Sequence, residues 1–576
     1  MIKRILILLT FFLNNSIFSQ NLLTPYENSK FLETTTYNNC LTFYKKLSKL
    51  SSNIQIKTFG NTDAGYPLHL VVFSGNKSFN PFVWQKENKV VLLVNNGIHA
   101  GEPDGIDASM LLLRDIVIRK IKIPNNIILA FIPIYNIGGS LNRNSFSRVN
   151  QNGPLAYGFR GNAQNLDLNR DFTKSDSRNS KAFAQIFHYL NPDIFLDNHV
   201  SDGADYQHTM TLLTTQQSKL GGAIGNYLHD VFEPSLFAGM KDKNWPLTPY
   251  VNFEVGNPEK GWQAFYDYPR YSTGYATLFQ TVGFMSETHM LKPFAQRVTS
   301  NYALMQTIIE QASTQANAIK LNRQLSVLSV KKQQTFALNF KIDSTRFDTI
   351  NFLGYTAEQK KSEVTGMDRL FYNRNKPFKQ QVKLYNYFIS EMLVTKPKAY
   401  IIPKGWHSVI DLLTLNKVPM QTLNKDTLLE VEAYHIDDYK TSTRAYEKHY
   451  KHSGTKVTAS IQMIHFLKGD IIIYTGEKTD RFLVEMLEPV GDDSYFAWNF
   501  FDAILQQKEG YSDYRWEDVA ATYLQDYPQL KMQLDAKKQA DATFAASSSQ
   551  QLEFVYKNSP YYEPAHLRYP VYRLIK

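Results

Sequence analysis

The sequence predicts an α/β fold: a mixed, mostly parallel sheet flanked by helices, followed by an α+β accessory region. Two apolar runs without alternation, residues 90–94 and 127–134, have the pattern of strands covered on both faces. The first leads through a polar turn at Asn95, Asn96 and Gly97 into Ile106, Met110, Leu113 and Val117 at helical spacing, so a strand, a turn and a helix follow one another. At 576 residues the chain is too long for one ordinary domain, and beyond about residue 322 the pattern changes to short strands and helices without a recurring motif.

Taken in order, residues 1–19 carry Lys3 and Arg4, a largely apolar run over 5–13, and then small and polar residues. This is the plan of a secretory signal peptide, and the run is too short for a permanent membrane span. Cleavage after Ser19 is expected, giving an exported protein, periplasmic or extracellular, with no transmembrane segment. Residues 20–322 then form the first domain. A helix around Cys40 precedes a hairpin, with strands at 54–59 and 68–73 joined by the turn at 60–65. In the focal helix Asp104 is placed as an N-cap, and Asp107 lies in the first turn, where the helix dipole favours an anion. The strand at 127–134 opens into a long polar segment, 135–173, of a length that is usually functional. A helix at 177–190, strands at 193–198 and 282–288, and a long helix at 294–321 complete this half.

Residues 323–576 read as an accessory region of unassigned task. Strands are expected at 332–343, 398–402 and 470–474, helices at 497–507 and 517–523, a surface loop at 541–551, and a strand-like C-terminus. Trp498, Phe500 and Phe501 suit a hydrophobic core better than a glycan-stacking surface. Cys40 is the sole cysteine, so no disulfide can form within the chain, and stability must come from core burial. The formal charge of +10 is dispersed, without a dense basic block, and so no nucleic-acid partner is expected.

The chemistry concentrates at strand ends. His99 and Glu102 follow the first central strand, and His199 follows another, where open α/β sheets keep their ligand sites. Imidazole nitrogen and carboxylate oxygen are donors that Zn2+ accepts, and a catalytic zinc takes three protein ligands and keeps one position open. The order His99-x-x-Glu102, Asp167-x-Asn169-Arg170, strand-end His199 and strand-end Glu287 resembles the zinc carboxypeptidases of the carboxypeptidase A type, over roughly residues 30–321.

That resemblance implies a metallocarboxypeptidase with one Zn2+ per chain, held by His99, Glu102 and His199. Its peptide substrate would be hydrolysed at the C-terminal bond by activated water, with Glu287 as general base. Asp167 would orient a ligand histidine from behind. Asn169 and Arg170 would hold the substrate's C-terminal carboxylate, and Tyr271 would close over it, with Tyr266, Tyr268 and Tyr275 as alternatives. Arg148 would stabilise the oxyanion, with Arg143 and Arg160 as alternatives, because Asn136-Ile137-Gly138-Gly139 departs from the family's usual loop. Two other readings stand beside this one: an amidase acting on peptidoglycan stem peptides, and a binding protein that has lost catalysis. The sequence is silent on oligomeric state.

Overall fold

The structure, a computed structural model, describes residues 22–252 and 258–575. The expected leader at 1–19 lies outside the described residues. The first half is built on an eight-stranded sheet of order β1-β2-β4-β3-β5-β9-β6-β7. Its strands are β1 (Ile54–Asn61), β2 (Pro67–Ser74), β3 (Val90–Asn96), β4 (Ile127–Ile132), β5 (Ile194–Ser201), β6 (Met210–Thr214), β7 (Thr248–Pro249) and β9 (Val282–His289). A two-residue strand, β8 (Trp262–Gln263), belongs to another sheet. The four central strands β4, β3, β5 and β9 run parallel, with Leu93 paired to both Ala130 and Phe195, and Leu196 to Phe284. Their carboxyl ends therefore open on one edge of the sheet, and that edge carries the site.

Both faces of the sheet are covered, which is why β3, β4, β5 and β9 are buried throughout and show no alternation. Helices α1 (Tyr37–Leu50), α2 (Asp104–Val117) and α4 (Phe294–Thr314) pack on one face, and Cys40 is wholly buried among them. On the other face lies α3 (Arg178–Leu190), in a core continuous with Tyr400, Leu413, Phe482 and Tyr569 of the second half. The two halves are thus joined through shared apolar burial.

Two expectations for the first half are corrected. Asp104 is the first residue of α2 and not its cap; Pro103 holds the cap position without a side-chain bond. The buried Asp104 carboxylate is taken instead by charged and hydroxyl donors, Arg297 Nε at 2.8 Å and Thr288 Oγ1 at 2.6 Å. Those charge-assisted bonds are stronger than a local cap. The helix expected at 294–321 is broken at Gln315, whose side-chain amide meets Ser235 Oγ and the Tyr227 hydroxyl. A second helix, α5 (Ala316–Lys332), then continues past residue 322 to the second half.

The second half contains a six-stranded sheet of order β15-β18-β14-β19-β16-β17, a two-stranded ribbon β10-β13, and a sheet in which β11 and β12 join β8 of the first half. These strands are β10 (Thr335–Ile342), β11 (Asp348–Lys361), β12 (Asp368–Tyr385), β13 (Phe388–Thr395), β14 (Ala399–Ile402), β15 (Gln421–Thr422), β16 (Thr427–Thr441), β17 (His452–Phe466), β18 (Ile471–Tyr474) and β19 (Tyr572–Leu574). Two further corrections fall here. The helix expected at 497–507 is reduced to a 3-10 turn, Asp502–Leu505, because burial of Phe496, Trp498 and Phe501 fixes a tight series of turns. The loop expected at 541–551 is helical, Ala542–Ala545 and then Ser548–Lys557. Its polar residues are caps, with Asp541 accepting from Thr543 N–H and Phe544 N–H and Ser547 from Gln550 N–H, while Phe544 and Val555 supply the buried face. No described helix is long and apolar enough to cross a membrane.

Candidate active site and metal centre

The turn from β3 into α2 brings His99 and Glu102 over the sheet edge, closed by a hydrogen bond from Glu102 N–H to the His99 carbonyl at 2.9 Å. Two glycines permit the close approach. A Cβ on Gly101 would lie 2.6 Å from Arg148 Cδ, and one on Gly105 would lie 2.3 Å from Asn198 Cβ. From β5 comes His199, paired in register with Glu287 of β9. His99, Glu102 and His199 are all buried, and each offers a ligand atom within 4.8 Å of the others'.

Both imidazoles are oriented by a carboxylate behind them. His99 Nε2 stands 2.9 Å from Asp167 Oδ1, and His199 Nε2 stands 2.9 Å from Asp197 Oδ2. A carboxylate only accepts, so Nε2 carries a proton in each ring and Nδ1 is turned toward Glu102, at 3.1 Å for His99 and 3.2 Å for His199. Sequence reasoning found Asp167 and missed Asp197. The spacing Asp197-x-His199, which puts both on one strand face, was the available signal.

The electrostatics follow from this crowding. Burial raises the Glu102 carboxyl, but His99, Arg148 and His199 outweigh it and hold Glu102 well below the usual carboxylate range. Burial likewise raises Asp167, yet His99, Arg160 and Arg170 bring it well below. Burial lowers His199, but Asp197 and Glu102 carry it well above an ordinary histidine. For Glu287 burial prevails: with Glu102 adding and His199 and Arg160 opposing, it is pushed up to about 8. A dication among the donors would oppose that rise.

A cleft of about 440 Å³ is lined by His99, Glu102, His199 and Glu287 together with Arg148, Arg160, Asn169, Arg170 and Tyr271. Arg148 Nη1 lies 2.9 Å from Glu102 Oε1, whereas Arg160 is engaged by Asp167 Oδ2 through Nε at 3.1 Å and Nη2 at 2.9 Å. Arg143 is directed elsewhere, donating to the Thr35 and Ala156 carbonyls, and so laces the loop. Arg170 lies over the Tyr271 ring at 4.7 Å, and Asn169 Oδ1 accepts from Ser272 N–H. Of the other tyrosines, Tyr275 is in the core on Asn416, Tyr266 packs on Phe340 and Phe388, and Tyr268 carries Arg270. His289, two residues past Glu287, turns to the Ala204 carbonyl and the Tyr206 ring. Leu213, Tyr250, Phe265, Met285 and Met290 add apolar lining that had no sequence signature, beside Val200, Ser201 and Asp202 of the β5 end.

Residues 40–193 match the model of the family Peptidase_M14, zinc carboxypeptidase. The matched stretch includes His99, Glu102, Asp167, Asn169 and Arg170, while His199 and Glu287 lie beyond it. Similar solved structures include a metallo-carboxypeptidase from Burkholderia cenocepacia (14% identity, TM-score 0.35, 49% of this chain and 70% of that one). A carboxypeptidase A from Helicoverpa armigera is similar at 14% identity and TM-score 0.38, over 50% of this chain and 75% of that one. A metallo-carboxypeptidase from Pseudomonas aeruginosa, in complex with (2-guanidinoethylmercapto)succinic acid, is similar at 13% identity and TM-score 0.36, over 50% and 70%. No curated protein matches. The class defined by the family match and the donor set is a zinc metallopeptidase.

Proposed function

We propose that this protein is an exported metallocarboxypeptidase that releases single residues from the C-terminus of peptides. The observation that carries the reading is the convergence of His99 Nδ1, Glu102 and His199 Nδ1 beside the buried Glu287, with Arg170 in the same cleft. Two imidazoles with their Nε2 protons committed to carboxylates, plus one carboxylate, form a three-ligand set of the catalytic zinc kind. When bound, zinc supplies Lewis acidity to a water and a carbonyl oxygen. Glu287 takes the proton from the attacking water and returns it to the leaving amine. Arg148, which lines the cleft beside Glu102, would stabilise the oxyanion, and Arg170 with Asn169 would hold the substrate carboxylate through charge-assisted bonds. The apolar wall of Leu213, Phe265 and Met285 suits an apolar C-terminal side chain. The leader pattern at 1–19 supports export to the periplasm or medium.

Elemental analysis tests the centre. The parent protein is expected to carry one zinc per chain, and His99→Ala and His199→Ala to lose most of it. Unchanged stoichiometry in both variants would remove these residues from the site.

A further inference from the structure

Between β4 and α3 the loop that carries Asp167, Asn169 and Arg170 has little regular structure of its own. The second half holds it and its neighbourhood at three points. Glu447 Oε2 accepts from Asp167 N–H at 2.8 Å, His449 Nε2 pairs with Asp176 Oδ2 at 2.7 Å, and Asp493 accepts from Arg270 N–H at 2.9 Å. Glu447 and His449 belong to the tip of the hairpin formed by β16 and β17.

That tip is a two-residue turn. Tyr446 and His449 exchange both backbone bonds, at 2.7 and 3.1 Å, and the residues between them, Glu447 and Lys448, have φ of 48° and 76°. Such turns favour Asn and Gly, because each central residue takes the left-handed conformation. Glu and Lys are poor choices for the backbone, and strain of this kind persists where a side chain has a task. The Glu447 task is visible: its carboxylate meets the Asp167 N–H, while the Asp167 carboxylate meets both His99 Nε2 and Asn169 N–H. Asp167 is thus fixed at its main chain by the second half and at its side chain by the metal-ligand histidine.

We propose that Glu447 is a positioning residue of the active site, holding Asp167 so that its carboxylate orients His99 and its following turn presents Asn169 and Arg170. The proposal rests on the metallopeptidase reading, and it gives the second half a role in catalysis. It differs from a simple turn-forming role in what glycine at 447 should do. Glycine accepts the left-handed conformation without cost, so a turn residue would be improved by it, whereas a positioning carboxylate would be lost.

The test compares full-length parent, Glu447→Gly and Glu447→Gln in zinc affinity by chelator competition, in kcat and KM, and in Tm. Glu447→Gly is expected to keep or raise Tm while zinc affinity and kcat each fall about tenfold or more, as for other groups that orient metal ligands. Glu447→Gln, whose amide oxygen accepts the same N–H, is expected to recover most of both. Parental zinc affinity and kcat in Glu447→Gly would overturn the proposal, as would loss of its fold, which would make Glu447 structural. A parent that binds no zinc would refute the metallopeptidase reading itself; a zinc-loaded, active parent with an indifferent Glu447→Gly would refute this inference alone.

Discussion

Glu287→Gln is expected to lower kcat by about 10²- to 10⁴-fold, the usual contribution of a general base, while zinc content stays at the parent level. The amide keeps the size of the carboxyl group and cannot accept the water's proton. Glu287 lies beside His199 in register but is distinct from the three donors that converge on one another, so its loss should spare the metal. Stability should move the other way. In the metal-free protein burial raises the Glu287 carboxyl to about 8, so the fold favours its protonated form. Its ionisation therefore costs stability progressively from the unfolded value near 4.5 up to about pH 8. The metal-free Glu287→Gln variant should accordingly gain Tm over the metal-free parent across that window, with the gap widening as pH rises. A variant with near-parent turnover would remove Glu287 from the chemistry.

The second large effect is expected at Arg170. Its guanidinium lies in the cleft, over the Tyr271 ring, 3.8 Å from Asp167 Oδ2. A planar fork of donors can hold a carboxylate by two parallel bonds, which a substrate with a free C-terminus offers and an internal peptide bond does not. Arg170→Met keeps bulk and removes charge. Its kcat/KM on free-acid peptides should fall by about 2–5 kcal/mol of transition-state binding, the cost of truncating a buried charge pair. Residual cleavage of amidated peptides should be little affected. An Arg170→Met enzyme with parental kcat/KM on free acids would leave Arg170 with only a role in ordering the loop.

Much of this was legible because local pattern and tertiary placement coincide. The unbroken apolar runs of β3 and β4 reported two-sided burial, and the polar turn after β3 placed His99 and Glu102 at a strand end. What escaped sequence reading depends on partners remote in the chain. Asp104 looked like a cap, but the buried guanidinium that claims it comes from a helix nearly two hundred residues later. The seryl stretch before β19 looked like a loop, although the Ser547 hydroxyl caps one short helix there and the Asp541 carboxylate caps the other. Glu447 is 280 positions from Asp167 and sits in a turn whose sequence is unfavourable, so neither motif nor propensity could mark it. The cleft's apolar wall draws on residues from several separate elements.

The most direct test of a carboxypeptidase is a digest by the zinc-loaded enzyme of one peptide prepared both as free acid and as C-terminal amide, read by mass spectrometry. Loss of single residues from the free acid, with the amide processed far more slowly, is the predicted result. Internal cleavage, or equal processing of both forms, would contradict the account.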